Sequence, residues 1–505
     1  MKKLLTLALA LLMLLSVFTG CAQKQNTDAA PDPGQSTTDE TQDAAQPQEE
    51  IVKLKLVTRC GSFADQDMVQ EEMNKILREK IGVEIELGFI GLGEYDQNVQ
   101  TMMAGGDDID IVFTSNYANN YYTGVAKGAF LPLDDLLQEY APQSYANVPE
   151  KFWDAIRVDG KIYGFINYQI IASETGFGLR QDLLEASGID LESLEKPEDL
   201  EPFLEYAKNA DPSVIPLEMS KTGMFEHLRS YYGLDQIGST SMPGAVRFDD
   251  ETMTVINIFE TDEFKEHLNL MRDWYLKGYT IADAATFTSL PDQRKTGRIA
   301  ACINPIKPGI EAEWAVSYNN PMAVKALSEP VATTTGCTNT MNAIMTTCKH
   351  PDKAMQFLEL LNTDAELNNL LNFGIEGVHY NKVSDNQIEL VADSGYCPNR
   401  AWTFGTQFLS YYLPGQDTTI WDETKAMNEE SISAPTLGFT FDPANVESQI
   451  AQCASVYEEF APSLLTGSVD PNEVLPQFLD KLEKAGAADI IAEEQAQINA
   501  WLASK

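Results

Sequence analysis

Apolar and charged residues alternate from Ile51 to Thr58, with Val52, Leu54 and Leu56 set against Lys53 and Lys55. A period of two puts one face of a strand in a core and the other in water. The period then lengthens. From Asp65 to Lys80 the apolar residues Val69, Met73, Ile76 and Leu77 recur at helical spacing, with Asp65 as the expected N-cap and Gly82 beyond the end. Val83, Ile85 and Leu87 alternate again as a second strand. Glu94–Ala104 reads as a second helix closed by Gly105-Gly106, and Ile109–Phe113 as a third strand. This β-α-β-α-β order predicts a mostly parallel sheet flanked by helices. Ligands sit beyond the carboxyl ends of such strands, which here are the loops Arg59–Ala64 and Thr114–Tyr122.

The mixture continues. Glu198–Lys208 and Thr261–Lys277 have helical periodicity, and Arg247–Ile258 has hairpin character around Asp249-Asp250. Ala300–Ile303 is a short apolar strand leading to Asn304-Pro305. A long helical stretch follows His350-Pro351 and runs through Leu371. Pro443–Lys505 is helical, with breaks expected at Pro462 and Pro471. No internal repeat is visible.

The N-terminus has a different pattern. Lys2 and Lys3 precede an apolar run from Leu4 to Val17. That run falls short of the roughly 20 residues a membrane span requires and reads as a signal peptide. It ends in Phe18-Thr19-Gly20-Cys21, which resembles the bacterial lipobox and implies a lipid anchor on Cys21. Residues 22–50 are rich in Gln, Asp, Thr, Ala and Pro and carry no large apolar side chain. Such a segment cannot bury enough surface to offset ordering, and it is expected to act as a linker spanning on the order of 30 Å.

The formal charge of −41 argues against nucleic acid, because phosphate contacts need clustered Lys and Arg. Apart from Cys21, the cysteines are Cys60, Cys302, Cys337, Cys348, Cys397 and Cys453, scattered without CxxC or zinc spacing. They are expected to be reduced and buried. The four histidines form no ligand pair, and Asp107, Asp108 and Asp110 lack the spacing of a calcium loop. No metal or cofactor is expected.

Several stretches, in colinear order, resemble the extracellular solute-binding proteins of ABC importers, the family that includes maltose-binding protein. They are MAGGDDIDIVF from Met103 to Phe113, GAFLPL from Gly128, GKIYG from Gly160, RQDLL from Arg180, GRIA from Gly297 and PDKAMQFL from Pro351. ANNYY from Ala118, KPG from Lys307, GIEGVHY from Gly374 and WTFG from Trp402 are similar to one Gram-positive lipoprotein branch with an extra C-terminal region. The resemblance implies an α/β, two-lobed, periplasmic-binding-protein-like clamshell with interdomain crossovers. It assigns residues 1–20 to the signal peptide and 21–50 to the lipidated linker. Residues 51–170 with 305–355 form the N-lobe, and 171–304 with 356–505 form the C-lobe and its helical extension. Crossovers are expected at Tyr168–Ser173, at Ile303–Pro305 and within Gln356–Leu371. The implied function is capture of an oligosaccharide by a monomer on the outer face of the cell membrane, with the importer's membrane subunits as partners.

Sugars are bound by aromatic faces on pyranose rings and by planar polar groups on hydroxyls. Trp402, Phe404, Gln407 and Phe408 supply both types in one stretch, expected in the C-lobe wall, with Arg400 beside them. Tyr117, Asn119 and Tyr121 crowd the loop after the third strand, among Asn116, Asn120 and Tyr122. Arg59 and Ser62 occupy the other strand-end loop. Tyr163, Asn167 and Glu174 lie near the first crossover, and Lys307 follows the second. Glu376, His379 and Tyr380 alternatively hold a branch-specific loop.

Hydrolase motifs are present but disordered in sequence. Ser193-Leu194-Glu195-Lys196 fits S-x-x-K, yet both K-T-G runs, at Lys221 and Lys295, precede the S-D-N at Ser384. No catalytic residue is assigned. A peptide or other solute receptor is the alternative within the same class. A surface glycoside hydrolase is the alternative outside it, since 76 acidic residues make carboxylate pairs by chance.

Overall fold

The alternating segment Val52–Arg59 forms the second strand of a five-stranded sheet in a computed structural model that describes residues 51–505. The signal peptide, Cys21 and the linker lie outside the described residues. Across this sheet run Val83–Ile90, Val52–Arg59, Ile111–Thr114, Met341–Ile344 and Phe165–Ile166. The first three are parallel, in register from Val52 opposite Val83 to Leu56 opposite Ile111. Met341–Ile344 is antiparallel to both its neighbours. The helix Gln66–Ile81 buries Val69, Met73 and Leu77 against the sheet, and Gly82 ends it in the left-handed conformation. Buried Asn74 locks the helix to the second strand by accepting from Ile85 N at 2.7 Å. Asp65 makes no capping bond and instead faces His379 Nε2 at 3.3 Å.

The second sheet is built on the long strand Ala172–Arg180. Its order is Ile432–Ser433, Val331–Ala332, Ala172–Arg180, Ile299–Ile306 and Ile215–Leu217, with Met322–Ala326 also paired to the central strand. Two sheets with separate apolar cores make two α/β lobes.

The lobe boundaries differ from the sequence expectation in two places. Ile306, Ile310, Trp314, Tyr318 and Met322 pack with Ile299 and Cys302 of the second sheet, so this stretch belongs to the second lobe. The chain re-enters the first sheet only at Met341–Ile344. The helices that follow, Pro351–Thr363 and Ala365–Phe373, bury Phe357, Leu358, Leu367 and Leu371 in the first core. The crossovers shift accordingly. The first, residues 167–171, overlaps the expected Tyr168–Ser173. The second occupies residues 333–340 and the third residues 405–431, ending in the helix Ile420–Glu430.

The crossovers are bonded to one another. Gln169 Nε2 donates to Thr340 Oγ1 at 2.9 Å, and Thr406 Oγ1 donates to Tyr168 O at 2.9 Å. Buried Asn428 accepts from Ile171 N and Ala172 N at 2.9 and 3.0 Å, and donates to Gln169 O at 2.7 Å.

The C-terminal region forms the helices Glu447–Leu465, Pro471–Lys484 and Ala487–Ser504. Pro462 lies inside the first of these, and the break comes after it, near Gly467. Leu464, Leu465 and Phe478 pack with Phe259, Phe264 and Leu268 of the second lobe. Glu494 is wholly buried, and neither of its carboxylate oxygens has a hydrogen-bond partner. A Cβ on Gly244 would stand 1.5 Å from Glu494 Oε2, so a side chain there would displace the carboxyl. The six described cysteines are unpaired, and all but Cys397 are buried.

Candidate functional site

Strand alternation on Ala172–Arg180 aims Ser173 and Thr175 to one side and Glu174 to the other. Ser173 and Thr175 line a cavity of about 840 Å³ bounded by both lobes. The first lobe contributes Asn116 and Tyr122, from the loop and helix after Ile111–Thr114. The second crossover contributes Thr333, Thr334, Thr335 and Thr338. Asn116 ties these two walls together, its N–H donating to Thr338 O at 3.0 Å and its amide to Thr335 O at 2.9 Å. The second lobe adds Ser230, Gln236 and Ser239, and the C-terminal region adds Thr436, Thr440 and Phe441.

Each acidic and basic side chain of this lining except His227 has a protein partner. Arg229 lies 3.7 Å from Glu226 and donates to Gln236. Asp235 accepts from Thr436, and burial raises its carboxyl above the usual range. Burial also lowers the His227 imidazole, which keeps it neutral near pH 7. What the cavity offers is mainly hydroxyls, amides and aromatic rings.

A second set of groups lies on the first lobe, at the carboxyl ends of its strands. The Arg59 guanidinium stands 5.4 Å from the ring centre of Tyr117, which is 46 % exposed. Arg400 stands 5.7 Å from the ring of Trp402. Burial raises the Tyr117 phenol, and Arg59 and then Arg400 oppose that shift. Of the expected residues, Arg59 and Tyr117 come together, and Trp402 is paired with Arg400, whose charge Tyr117 also feels. Trp402 does not lie in the second lobe's wall. Its helix, Ala401–Phe404, carries Phe404 into the first core. Lys307 and Gln407 line a separate hollow of about 310 Å³ with Ile170 and Trp421, and Lys307 pairs with Glu313 at 2.5 Å.

Four expected ligand contacts are used inside the first lobe instead. Asn119 adopts φ 42°, and its amide donates to Phe113 O at 3.0 Å. Tyr121 is fully buried, donates to Ile156 O at 2.7 Å and accepts from Tyr163 N at 3.1 Å. Asn167 donates to Thr403 O at 3.0 Å and accepts from Asn342 at 2.9 Å. Phe404 stacks on Phe89 with ring centres 5.8 Å apart. Each side chain has its partners in the core, leaving none of it for a solute. Ser62 is exposed on its loop, and Tyr163 is half-buried against the first core. Glu174 is half-buried on the face opposite Thr175, where burial raises its carboxyl. Buried His379 accepts from Ile375 N at 2.9 Å and holds its loop. Among the described residues, no cluster of three metal-ligating side chains occurs.

Sequence reading included Asn116 and Tyr122 among the candidates of their loop but missed Gln236, Thr436, Thr440 and Phe441. The alternation of Thr436, Thr440, Phe439 and Phe441 carried a signal: hydroxyls interleaved with rings on a segment outside any helix.

Residues 72–395 match the family described as bacterial extracellular solute-binding protein, and residues 435–503 match a family described as a domain of unknown function. A carbohydrate ABC transporter substrate-binding protein of Streptococcus pneumoniae is 28 % identical over 445 residues, covering 87 % of this chain and 89 % of that protein. The crystal structure of an N-glycan transport solute-binding protein, NgtS, from the same organism is similar with a TM-score of 0.77 at 25 % identity, covering 89 % of this chain and 99 % of that one. Its complex with Man5GlcNAc gives 0.61 at 26 % identity, covering 90 % and 99 %.

Proposed function

The chain belongs to the bacterial extracellular solute-binding protein family, and on that premise we propose that it captures a neutral oligosaccharide between its lobes for an ABC importer. The observation that carries this reading is the cavity of about 840 Å³ between the lobes, whose Glu226, Arg229 and Asp235 already have protein partners and whose lining is rich in hydroxyls, with amides and rings among them. Its size falls in the range of roughly 300–1,000 Å³ common to ligand pockets. The cluster of Arg59, Tyr117, Arg400 and Trp402 supports the reading, because it presents rings and planar donors together on the first lobe. The sugar complexes of NgtS make a mannose-bearing glycan our proposed cargo.

The lower agreement with the sugar complex than with the structure described without a sugar supports a closing motion. A ligand that touches both lobes stabilises the arrangement it bridges, and its differential affinity sets the shift. The family is one of binding proteins, and release of unchanged glycan is part of this reading. The lipobox-like end at Cys21 supports a lipid anchor on the outer face of the membrane, with residues 22–50 as tether. Calorimetric titration with Man1GlcNAc and Man5GlcNAc tests it. Saturable heat, unchanged glycan on chromatography and a smaller radius of gyration by X-ray scattering are expected. Heat from peptides but not glycans would move the chain to the peptide-receptor alternative, and cleaved glycan would move it to the hydrolase.

A further inference from the structure

The polypeptide between the edge strand Ile432–Ser433 and the helix Glu447–Leu465 touches every other part of the described molecule. Leu437 packs against the first-lobe core. Gly438, at φ 89°, passes so close to the first lobe that a Cβ would meet Ala155 Cα at 3.5 Å. Thr334, in the second crossover, donates to Thr436 O at 3.1 Å and accepts from Gly438 N at 2.8 Å. Thr436 is bonded to Asp235 of the second lobe. Phe439 is buried against Trp501 of the last helix, with ring centres 5.5 Å apart.

Held in this way, the segment turns Thr440 and Phe441 onto the cavity. Thr440 is exposed, and it faces Tyr122 of the first lobe. The Tyr122 hydroxyl is buried and has no well-aligned hydrogen bond, Thr440 being the one polar side chain beside it. A buried donor without a well-aligned bond costs free energy that a ligand hydroxyl can recover. A ring, a phenol and a threonine hydroxyl on one wall of the cavity are suited to a sugar. The cavity holds the volume of roughly 28 waters at about 30 Å³ each, which is room for more than one sugar ring, and the segment that spans from the first lobe to the second bounds one side of it.

We infer that residues 434–441 are a recognition element: they form the terminal subsite of the glycan cavity and set the longest glycan that it admits. This gives a role to the region of unknown function, and it rests on the glycan reading above. The test uses the full chain and the same glycan series, from Man1GlcNAc to Man5GlcNAc, by calorimetry. Thr440→Trp fills the subsite, and the ratio of affinity for the longest over the shortest glycan falls by roughly tenfold or more. Should that variant fail to fold, Tyr122→Phe and Phe441→Ala lower the same ratio in the same direction. Equal weakening across the series, or no change, overturns the inference while the glycan reading stands. A wild-type chain that binds none of the series overturns both.

Discussion

Thr436 donates both its backbone N–H and its hydroxyl to one carboxylate oxygen of Asp235, at 2.9 and 2.7 Å. Asp235 belongs to the strand Leu234–Gln236, and Thr436 lies 201 residues later in the chain. Burial raises the Asp235 carboxyl, and the bonds from Thr436, then Arg229, counter it. Thr436→Val keeps the shape and the backbone bond but removes one donor from a buried carboxylate. A loss of about 1–3 kcal/mol follows, read as a lower midpoint in urea unfolding. An unchanged midpoint would mean that water replaces the hydroxyl.

Glu494 sets a pH dependence. Burial raises its carboxyl from 4.5 to about 8, so the folded chain holds a proton that the unfolded chain releases. Its contribution to stability is fully present below about pH 4.5 and is lost as pH rises through 8. The change is on the order of a few kcal/mol. Glu494→Gln keeps the shape without the titration, so its melting temperature should exceed that of the wild type at pH 8.5 and fall less between pH 5 and 8.5. Parallel melting curves across that range would show that the carboxyl reaches solvent.

On the proposed reading, Trp402 and Phe404, two residues apart, separate binding from folding. Trp402→Ala should weaken glycan binding by roughly 2 kcal/mol or more, with the melting temperature little changed. Phe404→Ala removes a ring stacked on Phe89 in the first core and should cost about 3–5 kcal/mol of stability, with affinity retained by the folded fraction. The reverse pattern would exchange their roles.

Cys21→Ser should release the chain from the membrane fraction into the medium in its native host. A variant that stays with the membrane would remove the anchor from Cys21.

The first three strands and the helices between them were legible because each segment has a single period and a local partner. The crossovers were less so. Asn304-Pro305 reads as a strand end, yet Ile299–Ile306 continues through it, with Pro305 paired to Thr175. Only the distant pairing with Ala172–Arg180 decides this. Tyr121 and Tyr122 show the same limit within the site. Both follow a strand end, but the helix Tyr121–Ala126 begins there and points the first into the core and the second at the cavity. Chemistry placed polar and aromatic groups in the strand-end loops, and a rotation of one residue along a helix decides which of them reach the cavity.

Asn428 has a further consequence. Its single amide holds one N–H and one carbonyl of the first crossover, and the N–H of Ala172 where the strand begins, from within the third. Twisting one of these two segments alone would break buried hydrogen bonds. Any change of angle between the lobes must therefore carry both together.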